Sequence, residues 1–449
     1  MSLTRLYEPA LYAPEPVPSY WEATVARPPV SPSDLASHAC DVAIVGGGYT
    51  GLSAALELAQ SGYAVTVLEA NALGWGASGR NGGFACLGGT ALPRAAQIRR
   101  FGAADADALL RLQARAVHRV EEITQTHGIE VDPQPGGEVC VAHRPGELDP
   151  LRSEAEMLSR VLRVETQIWS QEALSARGFG MAGSHGAMWL GLGFGVNPLK
   201  LALGLADAAR AAGANLCAHS PVARMSSEQG AWSLTCTGGT QVRARKVIVA
   251  TNGYSSEGMP AWLGGRYLPV LSNIMVTRPL TGAELQAQGW TARTPSYDSR
   301  SLLHYFRLLP DNRMLFGMRG NVRATQRETA TQQADMRRHF GAMFPAWSDV
   351  EAAYQWSGLA CVTLDRLSYI GPVPGMEGIY AGLGWHGNGV AMGVEAGVRL
   401  AALAKGARWE ETVPRPVRSG LRRFPLARWR RGLLPLVYGW YRFRDGAPL

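Results

Sequence analysis

A glycine-rich turn, Gly46-Gly-Gly-Tyr-Thr-Gly51, carries the clearest chemical signal in the sequence. It stands between an apolar, β-branched segment at residues 41–45 and an apolar segment with helical spacing at residues 52–60. In such a turn the first glycine permits a tight bend, the second lets backbone approach a pyrophosphate, and the third allows close packing of helix on strand. The amides that open the helix, including those of Tyr49 and Thr50, then face negatively charged phosphate groups.

An acidic residue completes this unit. The second strand, residues 64–68, ends at Glu69, which lies eighteen residues after Gly51. A carboxylate at this point of a βαβ unit accepts hydrogen bonds from the ribose hydroxyls of an adenosine and repels a 2′-phosphate. The pattern therefore predicts FAD or NAD and disfavours NADP.

Other segments favour FAD over NAD. The sequence carries one strong dinucleotide fingerprint, whereas an enzyme that uses both cofactors carries two. A buried strand at residues 246–250 runs into Thr251, Asn252 and Gly253, as expected of a strand that passes beneath the dinucleotide. The glycine-rich residues 384–390 lead into a helix whose first amides would stabilise negative charge on a reduced flavin ring.

Composition restricts the class of protein. The chain has 449 residues, 46% hydrophobic, and no apolar run approaches the roughly 18 residues of a membrane span. The six cysteines are scattered and form no Cys-x-x-Cys pair, so we expect no zinc site, no other metal site and no disulfides. This cysteine usage fits a reducing compartment, and we expect a cytoplasmic location. The net charge of +8 belongs to residues 414–449, which hold nine arginines and one acid, so a nucleic-acid partner is not expected.

The order of predicted elements indicates an α/β (α+β) fold, in which a Rossmann-like FAD-binding domain is interleaved with a substrate domain on an antiparallel or mixed sheet. We assign residues 38–135, 196–265 and 356–413 to the first domain and residues 136–195 and 266–355 to the second. A Pro-rich arm, residues 1–37, precedes them, and the basic tail, residues 414–449, follows. Long helices are predicted at residues 103–126, 198–212 with Asn197 as N-cap, and 391–404.

Residues 41–69, 76–83, 247–254 and 382–397 together resemble the D-amino-acid-oxidase/glycine-oxidase superfamily of FAD-dependent amine oxidoreductases. Residues 19–21, 304–307, 311–313 and 440–445 extend the resemblance to the gamma-glutamylputrescine oxidase group. The cofactor-binding residues expected from the motifs and the resemblance are Gly46, Gly48, Tyr49, Thr50, Gly51, Glu69, Ala70, Ser78, Gly79, Arg80, Asn81, Gly82, Gly83, Val222, Thr251, Asn252, Gly253, Trp385, His386, Gly387, Asn388 and Gly389.

Two departures from relatives that attach flavin covalently bear on the linkage. The position seven residues before Asp365, where those relatives carry a cysteine, is Gly358, and Cys361 is displaced from it. Residues 76–79 hold no histidine. We therefore expect FAD to be bound non-covalently.

The resemblance implies hydride transfer from an amine-bearing carbon to flavin N5, followed by hydrolysis of the imine to a carbonyl. The substrate amine must be neutral, so a proton acceptor is needed, and His304 and His386 are candidates. Arg307 or Arg319 would bind a substrate carboxylate, and Tyr305 and Trp385 would form walls. For each of these side chains a purely structural role is the alternative.

The electron acceptor is left open between O2, which gives H2O2, and a quinone. Residues 314–319 contain no lysine, although sarcosine-oxidase-like relatives place one above the flavin. A glycine- or sarcosine-type oxidase, a membrane-peripheral amino-acid dehydrogenase at the inner face, and a flavin-binding protein without turnover are the alternative functions. The tail mixes arginines with aromatic and aliphatic residues; its packing against the body is favoured over contact with an anionic membrane surface.

Overall fold

The structure is a computed structural model that describes residues 4–27, 36–228 and 230–446. Parts of the Pro-rich arm (28–35) and the last three residues of the basic tail lie outside the described residues. The strands are β1 (His38–Val45), β2 (Val65–Leu68), β3 (Phe84–Ala85), β4 (Glu138–Val141), β5 (Thr166–Trp169), β6 (Ala187–Leu190), β7 (Phe194–Gly195), β8 (Asn215–Cys217), β9 (Val222–Glu228), β10 (Ala231–Cys236), β11 (Gln241–Val249), β12 (Leu268–Thr277), β13 (Ser296–Asp298), β14 (Tyr305–Leu308), β15 (Met314–Arg319), β16 (Ala352–Val362), β17 (Tyr369–Pro372) and β18 (Ile379–Leu383). The helices are α1 (Tyr20–Ala23), α2 (Tyr49–Gln60), α3 (Arg94–Phe101), α4 (Ala103–Thr126), α5 (Leu148–Leu162), α6 (Gln171–Ala176), α7 (Pro198–Ala211), α8 (Gly282–Gln288), α9 (Gln326–Met343), α10 (Gly389–Ala404), α11 (Trp409–Thr412), α12 (Arg415–Arg418) and α13 (Leu434–Arg444).

The first sheet is a parallel layer in the order β18, β11, β1, β2 and β8, with β17 antiparallel at one edge. Strands β9 and β10 extend it as an antiparallel hairpin paired to β11. The inner half of β1 is buried on both faces, as its unbroken apolar run predicts for a covered parallel strand. Helix α2 packs against α7 and α10 on this layer, so the glycine-rich turn lies at the carboxyl end of the central strand.

The second sheet is mixed and has the order β16, β12, β15, β14, β13, β4, β6 and β5, with β13 and β4 as its parallel pair. Its core is aromatic, and rings from α9 and the strands pack together; they include Trp290, Phe306, Phe316, Phe340 and Phe344. Because β4, β5 and β6 come from residues 138–190 and the remaining strands from residues 268–362, the chain crosses between the two sheets more than once. The predicted α/β (α+β) class with interleaved units is confirmed.

Locally determined elements follow the sequence closely. Helix α4 spans Ala103–Thr126, the predicted range, and Asn197 caps α7 by accepting the amide of Lys200 at 3.2 Å. Other features are set by distant partners. Strand β16 pairs with β12 from Ala352 to Val362, across the boundary we drew at residue 356, and the 18-residue helix α9 is not among the long helices predicted above.

Both chain ends pack on the body. In the arm, the buried Trp21 donates its indole N–H to the Asn81 carbonyl at 2.8 Å. In the tail, the buried Arg430 donates to the Tyr267 carbonyl at 2.8 Å, and Asp445 accepts the amide of Ser301 at 2.9 Å. Among the described residues, the helices are all too short or too polar to cross a membrane.

Candidate active site

One continuous cavity runs between the two sheets and joins sequence segments that are far apart in the chain. The expected cofactor residues that line it are Gly46, Gly48, Tyr49, Thr50, Glu69, Ala70, Ser78, Arg80, Asn81, Gly82, Val222, Thr251, Asn252, Trp385, His386, Gly387, Asn388 and Gly389. Four other glycines, Gly51, Gly79, Gly83 and Gly253, lie behind the cavity wall. A Cβ on Gly51 would overlap the carbonyl oxygen of Gly46, so this third glycine serves helix–strand packing, the role that the motif predicts.

The glycine-rich turn forms a cradle at the start of α2. Gly46 has φ +110°, and a Cβ there would lie 2.8 Å from the Ala250 carbonyl oxygen. A Cβ on Gly48, the N-cap of α2, would lie 2.8 Å from the Ser78 hydroxyl. That hydroxyl accepts the amide of Tyr49 at 3.0 Å. Only glycine leaves the helix amides open to a ligand here.

Glu69 is held rigidly at the end of β2. Its Oε2 accepts the amide of Gly47 at 2.7 Å, and its Oε1 accepts the amide of Asn71 at 2.9 Å. Burial raises the pKa of this carboxyl group, and the backbone donors of Asn71 and Gly47 oppose that rise. Each oxygen keeps a lone pair, so the carboxylate is positioned to accept the ribose hydroxyls of an adenosine.

The loop at residues 77–83 is fixed by its own polar groups. The Asn81 amide group donates to the Tyr49 hydroxyl at 3.2 Å and to the Ala77 and Ser78 carbonyls at 3.0 Å, while its Oδ1 accepts the Gly83 amide at 2.8 Å. Asn81 therefore locks the loop against the first turn of α2.

Arg80, in the same loop, lies 4.0 Å over the Trp75 ring and donates Nε to the Trp75 carbonyl at 2.8 Å. Its Nη2 is buried and has no partner within the protein. A cationic donor left over at the wall, together with the glycine cradle and Glu69, fits an anionic dinucleotide such as FAD.

A second turn brings His386 and Asn388 to the wall, and α10 begins beside them at Gly389. His386 has φ +52°, donates its amide to the Cys361 carbonyl at 3.1 Å, and lies with Nε2 3.3 Å from the Thr363 hydroxyl. Burial lowers the pKa of His386 to about 4. The imidazole is therefore neutral at physiological pH.

On the side of the second sheet, the cavity is lined by Cys86, Leu87, Glu138, Ile274, Tyr297, Leu303, Tyr305 and Arg319, which we call the substrate chamber. The Tyr305 hydroxyl pairs with that of Ser272 at 3.0 Å, and burial raises its pKa to about 12. Arg319, at the end of β15, donates Nη2 to the His386 carbonyl at 3.0 Å.

The structure places two predicted catalytic residues away from this wall. His304 is buried, with Nδ1 2.6 Å from Asp298 and Nε2 2.9 Å from His339. The buried Arg307 donates to the Gly82 carbonyl, to Gln134 at 2.7 Å and to the Val196 carbonyl at 2.6 Å. Neither side chain lines the cavity, whereas the other histidine and arginine predicted for these roles, His386 and Arg319, do.

Two charged residues that line the cavity were absent from the predictions. Glu138, the first residue of β4, is 2% exposed and lines the chamber. In the sequence Glu138 directly follows two glycines, which is only a weak signal of a functional position. Arg5 comes from the arm and lines the cavity together with Glu69. Burial lowers the pKa of Arg5, and the charge of Glu69 is among the effects that oppose this shift. No local motif marks Arg5.

Arg5 is held in place by a clasp that joins both chain ends, formed by residues 5–8 of the arm and residues 430–431 of the tail. Arg431 lies 4.5 Å over the Tyr7 ring, pairs with Glu8 at 2.7 Å and donates to the Leu6 carbonyl. Arg430 pairs with Glu257, whose amide donates to the Thr4 carbonyl at 2.8 Å. The arm therefore lies over one end of the cavity, and the tail fastens it there.

Comparison with known proteins agrees with this geometry. The profile of the FAD dependent oxidoreductase (DAO) family matches residues 41–403, which span the cradle, the chamber and α10. The chain belongs to this family. The probable oxidoreductase OrdL of Rhizobium meliloti (strain 1021) is 32% identical over 95% of this chain and 97% of its own length. The gamma-glutamylputrescine oxidoreductase of Escherichia coli (strain K12) is 31% identical over 86% of this chain and 89% of its own length.

A solved structure shows the same fold. The crystal structure of glycine oxidase from Geobacillus kaustophilus superposes with a TM-score of 0.69 at 24% identity, covering 87% of this chain and all of that one (100%). The resemblance expected from the motifs is thus confirmed, as is the assignment of the chain as an FAD-dependent oxidoreductase.

Proposed function

We propose that this protein oxidises a C–N bond of a small amine or amino acid, with a gamma-glutamylputrescine-like amine as the favoured substrate. The observation that carries the proposal is the single cavity in which the dinucleotide cradle opens into the substrate chamber. FAD, when bound, supplies the acceptor for the hydride that leaves the substrate carbon. The similarity to the gamma-glutamylputrescine oxidoreductase of E. coli supports the substrate class.

The chain's own residues would prepare the substrate for this step. Arg319 presents a guanidinium group to the chamber, where it would bind a substrate carboxylate. Tyr305 packs between Gly82 and Gly317, since a Cβ on either glycine would meet its ring, and it would form a rigid wall. The free imine is then hydrolysed by water to a carbonyl compound and ammonia or a smaller amine.

We propose that FAD is held without a covalent bond. Two cysteines, Cys86 and Cys361, line the cavity, but burial raises the pKa of Cys361 to about 12 and that of Cys86 well above its ordinary value. Both therefore stay as thiols, which are poor nucleophiles toward the flavin ring.

An anaerobic panel tests the activity. Glycine, sarcosine, D-amino acids, polyamines and gamma-glutamylputrescine are each added to the holoenzyme, and bleaching of the flavin absorption is followed. We expect bleaching by at least one amine, fastest with gamma-glutamylputrescine, and one H2O2 for each amine consumed once air is admitted. A yellow protein that no member of the panel bleaches would contradict the proposal.

A dehydrogenase that passes electrons to a quinone at a membrane surface is the second candidate. The observation in its favour is that seven of the eight large hydrophobic side chains exposed in the described residues lie between Leu426 and Phe443, among the tail arginines. Trp440 and Phe443 are 61% and 80% exposed, which suits insertion into an anionic lipid surface.

Vesicles separate the two candidates. The second one predicts that the holoenzyme sediments with vesicles containing phosphatidylglycerol and that the double variant Trp440→Ser/Phe443→Ser does not. Ile98→Ser, which removes an exposed residue outside the tail, is the matched control. Slow flavin reoxidation in air, with fast turnover on a quinone analogue, would decide for the dehydrogenase; no sedimentation and rapid reoxidation would decide for the oxidase.

A further inference from the structure

Glu138 is a buried acid that the fold leaves with one carboxyl oxygen unpartnered. It lines the substrate chamber at the start of β4, is 2% exposed, and its Oε2 has no hydrogen-bond partner within the protein. Within the described residues, no lysine, arginine or histidine forms an ion pair with it. Burying a carboxyl group in this way is unfavourable unless a donor or a cation is supplied.

The groups that act most strongly on the Glu138 carboxyl group carry no positive charge. The Cys86 thiol and the Leu87 amide interact with its carboxyl group, and the Glu154 carboxylate acts on it through charge. Burial raises the pKa of Cys140, on the same strand, and of Tyr297, on β13, and the charge of Glu138 adds to both shifts. The side chains and backbone groups that act on this carboxyl group are thus neutral or acidic, and its cavity-lining position lets a cation reach it from the cavity.

The substrate chamber also holds a positively charged side chain, that of Arg319, in addition to the acid Glu138. The segment that holds Cys86 and Leu87 runs against the turn that carries His386 and Asn388, which we call the flavin-side turn, because a Cβ on Gly88 would overlap the Asn388 side chain. Arg319 lies against the same turn, with Nη2 2.6 Å from where a Cβ on Gly387 would stand. An acid and an arginine therefore both reach the chamber beside this turn, which matches a ligand with a cation and an anion.

We propose that Glu138 binds the ammonium group of the substrate, so that the enzyme's substrates are amines that also carry a carboxylate for Arg319. This inference rests on the proposed function and names the group that recognises its substrate. Once the ammonium group is paired, its N–H bond can break and an O–H bond form on Glu138, with no change in redox state. The neutral amine that C–N oxidation needs is then present in the site.

The pH dependence of binding follows from the same geometry. Burial raises the pKa of Glu138 to about 8, so the free enzyme holds mostly the protonated acid at pH 6.5. An ammonium ion pairs with the carboxylate form, and an aliphatic amine stays protonated to a pKa of about 10. Amine affinity should therefore rise about tenfold for each pH unit from pH 6 to pH 8 and level off above it.

Matched ligand pairs test the proposal on the holoenzyme. Each pair has one member with an ammonium group and one with a hydroxyl group in its place: glycine and glycolate, 4-aminobutyrate and 4-hydroxybutyrate, putrescine and 1,4-butanediol. Binding is followed anaerobically by perturbation of the flavin spectrum and by the shift in melting temperature. We expect the wild type to prefer the amine of at least one carboxylate-bearing pair by about 10- to 100-fold, the range of a hydrogen bond to a charged group.

Glu138→Gln should abolish both that preference and its pH dependence while retaining FAD and affinity for the hydroxyl ligand. Glu154→Gln is the control, because it removes a nearby carboxylate that does not line the cavity. Equal discrimination by wild type and Glu138→Gln, or no binding by any ligand to the wild type, would overturn the proposal. If an amine bleaches the flavin and Glu138→Gln still prefers the amine over its hydroxyl counterpart, the role of Glu138 is refuted and the proposed oxidation stands. If the wild type prefers the amine but no amine bleaches its flavin, the proposed oxidation is refuted.

Discussion

Replacing Glu69 by alanine tests where the adenosine of FAD lies. In the protein alone this carboxylate already accepts two backbone amides, those of Gly47 and Asn71, and it faces the cavity. We expect the two ribose hydroxyls to use its remaining lone pairs. Glu69→Ala therefore removes two ligand contacts and, separately, two acceptors that shape the glycine-rich turn.

The two losses have different sizes. A hydrogen bond to a charged acceptor contributes about 1.5–3 kcal/mol, so the loss of both ribose contacts weakens FAD binding by about 3 kcal/mol or more, at least a 100-fold rise in Kd. The amides of Gly47 and Asn71, left without acceptors, cost about 1–3 kcal/mol each where water cannot replace the carboxylate. This second effect lowers the melting temperature of the apoprotein and does not depend on FAD.

Titration of the apoprotein with FAD and with FMN separates the loss of the ribose contacts from the effect on the turn, because FMN lacks the adenosine. Quenching of flavin fluorescence gives both affinities. The ratio of FAD to FMN affinity should fall by at least about 100-fold in Glu69→Ala. It should not change in Asp41→Ala, which removes a carboxylate on β1, outside the cavity, that accepts the amide of Ala64. If Glu69→Ala lowers the two affinities equally, the carboxylate shapes the turn and the ribose lies elsewhere.

Four shorter predictions follow from other contacts. Gly51→Ala forces a methyl group onto the Gly46 carbonyl and should lower the free energy of unfolding by about 3 kcal/mol, measured by urea unfolding, whereas Gly439→Ala, in open space on α13, should not. Burial lowers the pKa of His386 to about 4 from 6.5, so below pH 6.5 the unfolded chain binds a proton that the folded protein does not. The free energy of unfolding therefore falls as the pH drops from 6.5 to 4, and melting curves of His386→Gln should lack about 3 kcal/mol of that fall. Arg431→Ala opens the clasp on the arm and should raise the Kd of FAD about tenfold while the FMN affinity stays unchanged. Acid precipitation should release all flavin into the supernatant; flavin retained on the pellet and lost in Cys361→Ser would refute non-covalent binding.

The sequence reveals those parts of the site that depend on neighbours along the chain. The turn at Gly46–Gly51 and the acid at Glu69 belong to one βαβ unit, so spacing and residue type predict their structure. Arg307 donates hydrogen bonds to acceptors at residues 82, 134 and 196, and nothing in the sequence near Arg307 indicates these distant partners. Arg307 and Tyr305 share one face of β14 by alternation, yet only Tyr305 lines the cavity.

Contacts between the chain ends are invisible to motif analysis for the same reason. Arg5 and Arg431 stand in segments whose composition predicts an arm and a basic tail, and each looks like a solvated cation. Their roles depend on the pairing of Arg431 with Glu8 and on the path of the arm over the cavity. A prediction of this kind needs the tertiary fold, because the two residues are separated by almost the whole chain.

The protonation states of the chamber lead to one residue. Tyr305 has a pKa near 12, and His386, on the neighbouring turn, has a pKa near 4, so neither changes charge around neutral pH. Glu138, with a pKa near 8, is the described chamber residue placed to exchange a proton with an amine at neutral pH. A pH–rate profile for flavin reduction should therefore lose its limb near pH 8 in Glu138→Gln and keep it in His386→Gln. A limb that disappears only in the histidine variant would show that the proton passes through the flavin-side turn.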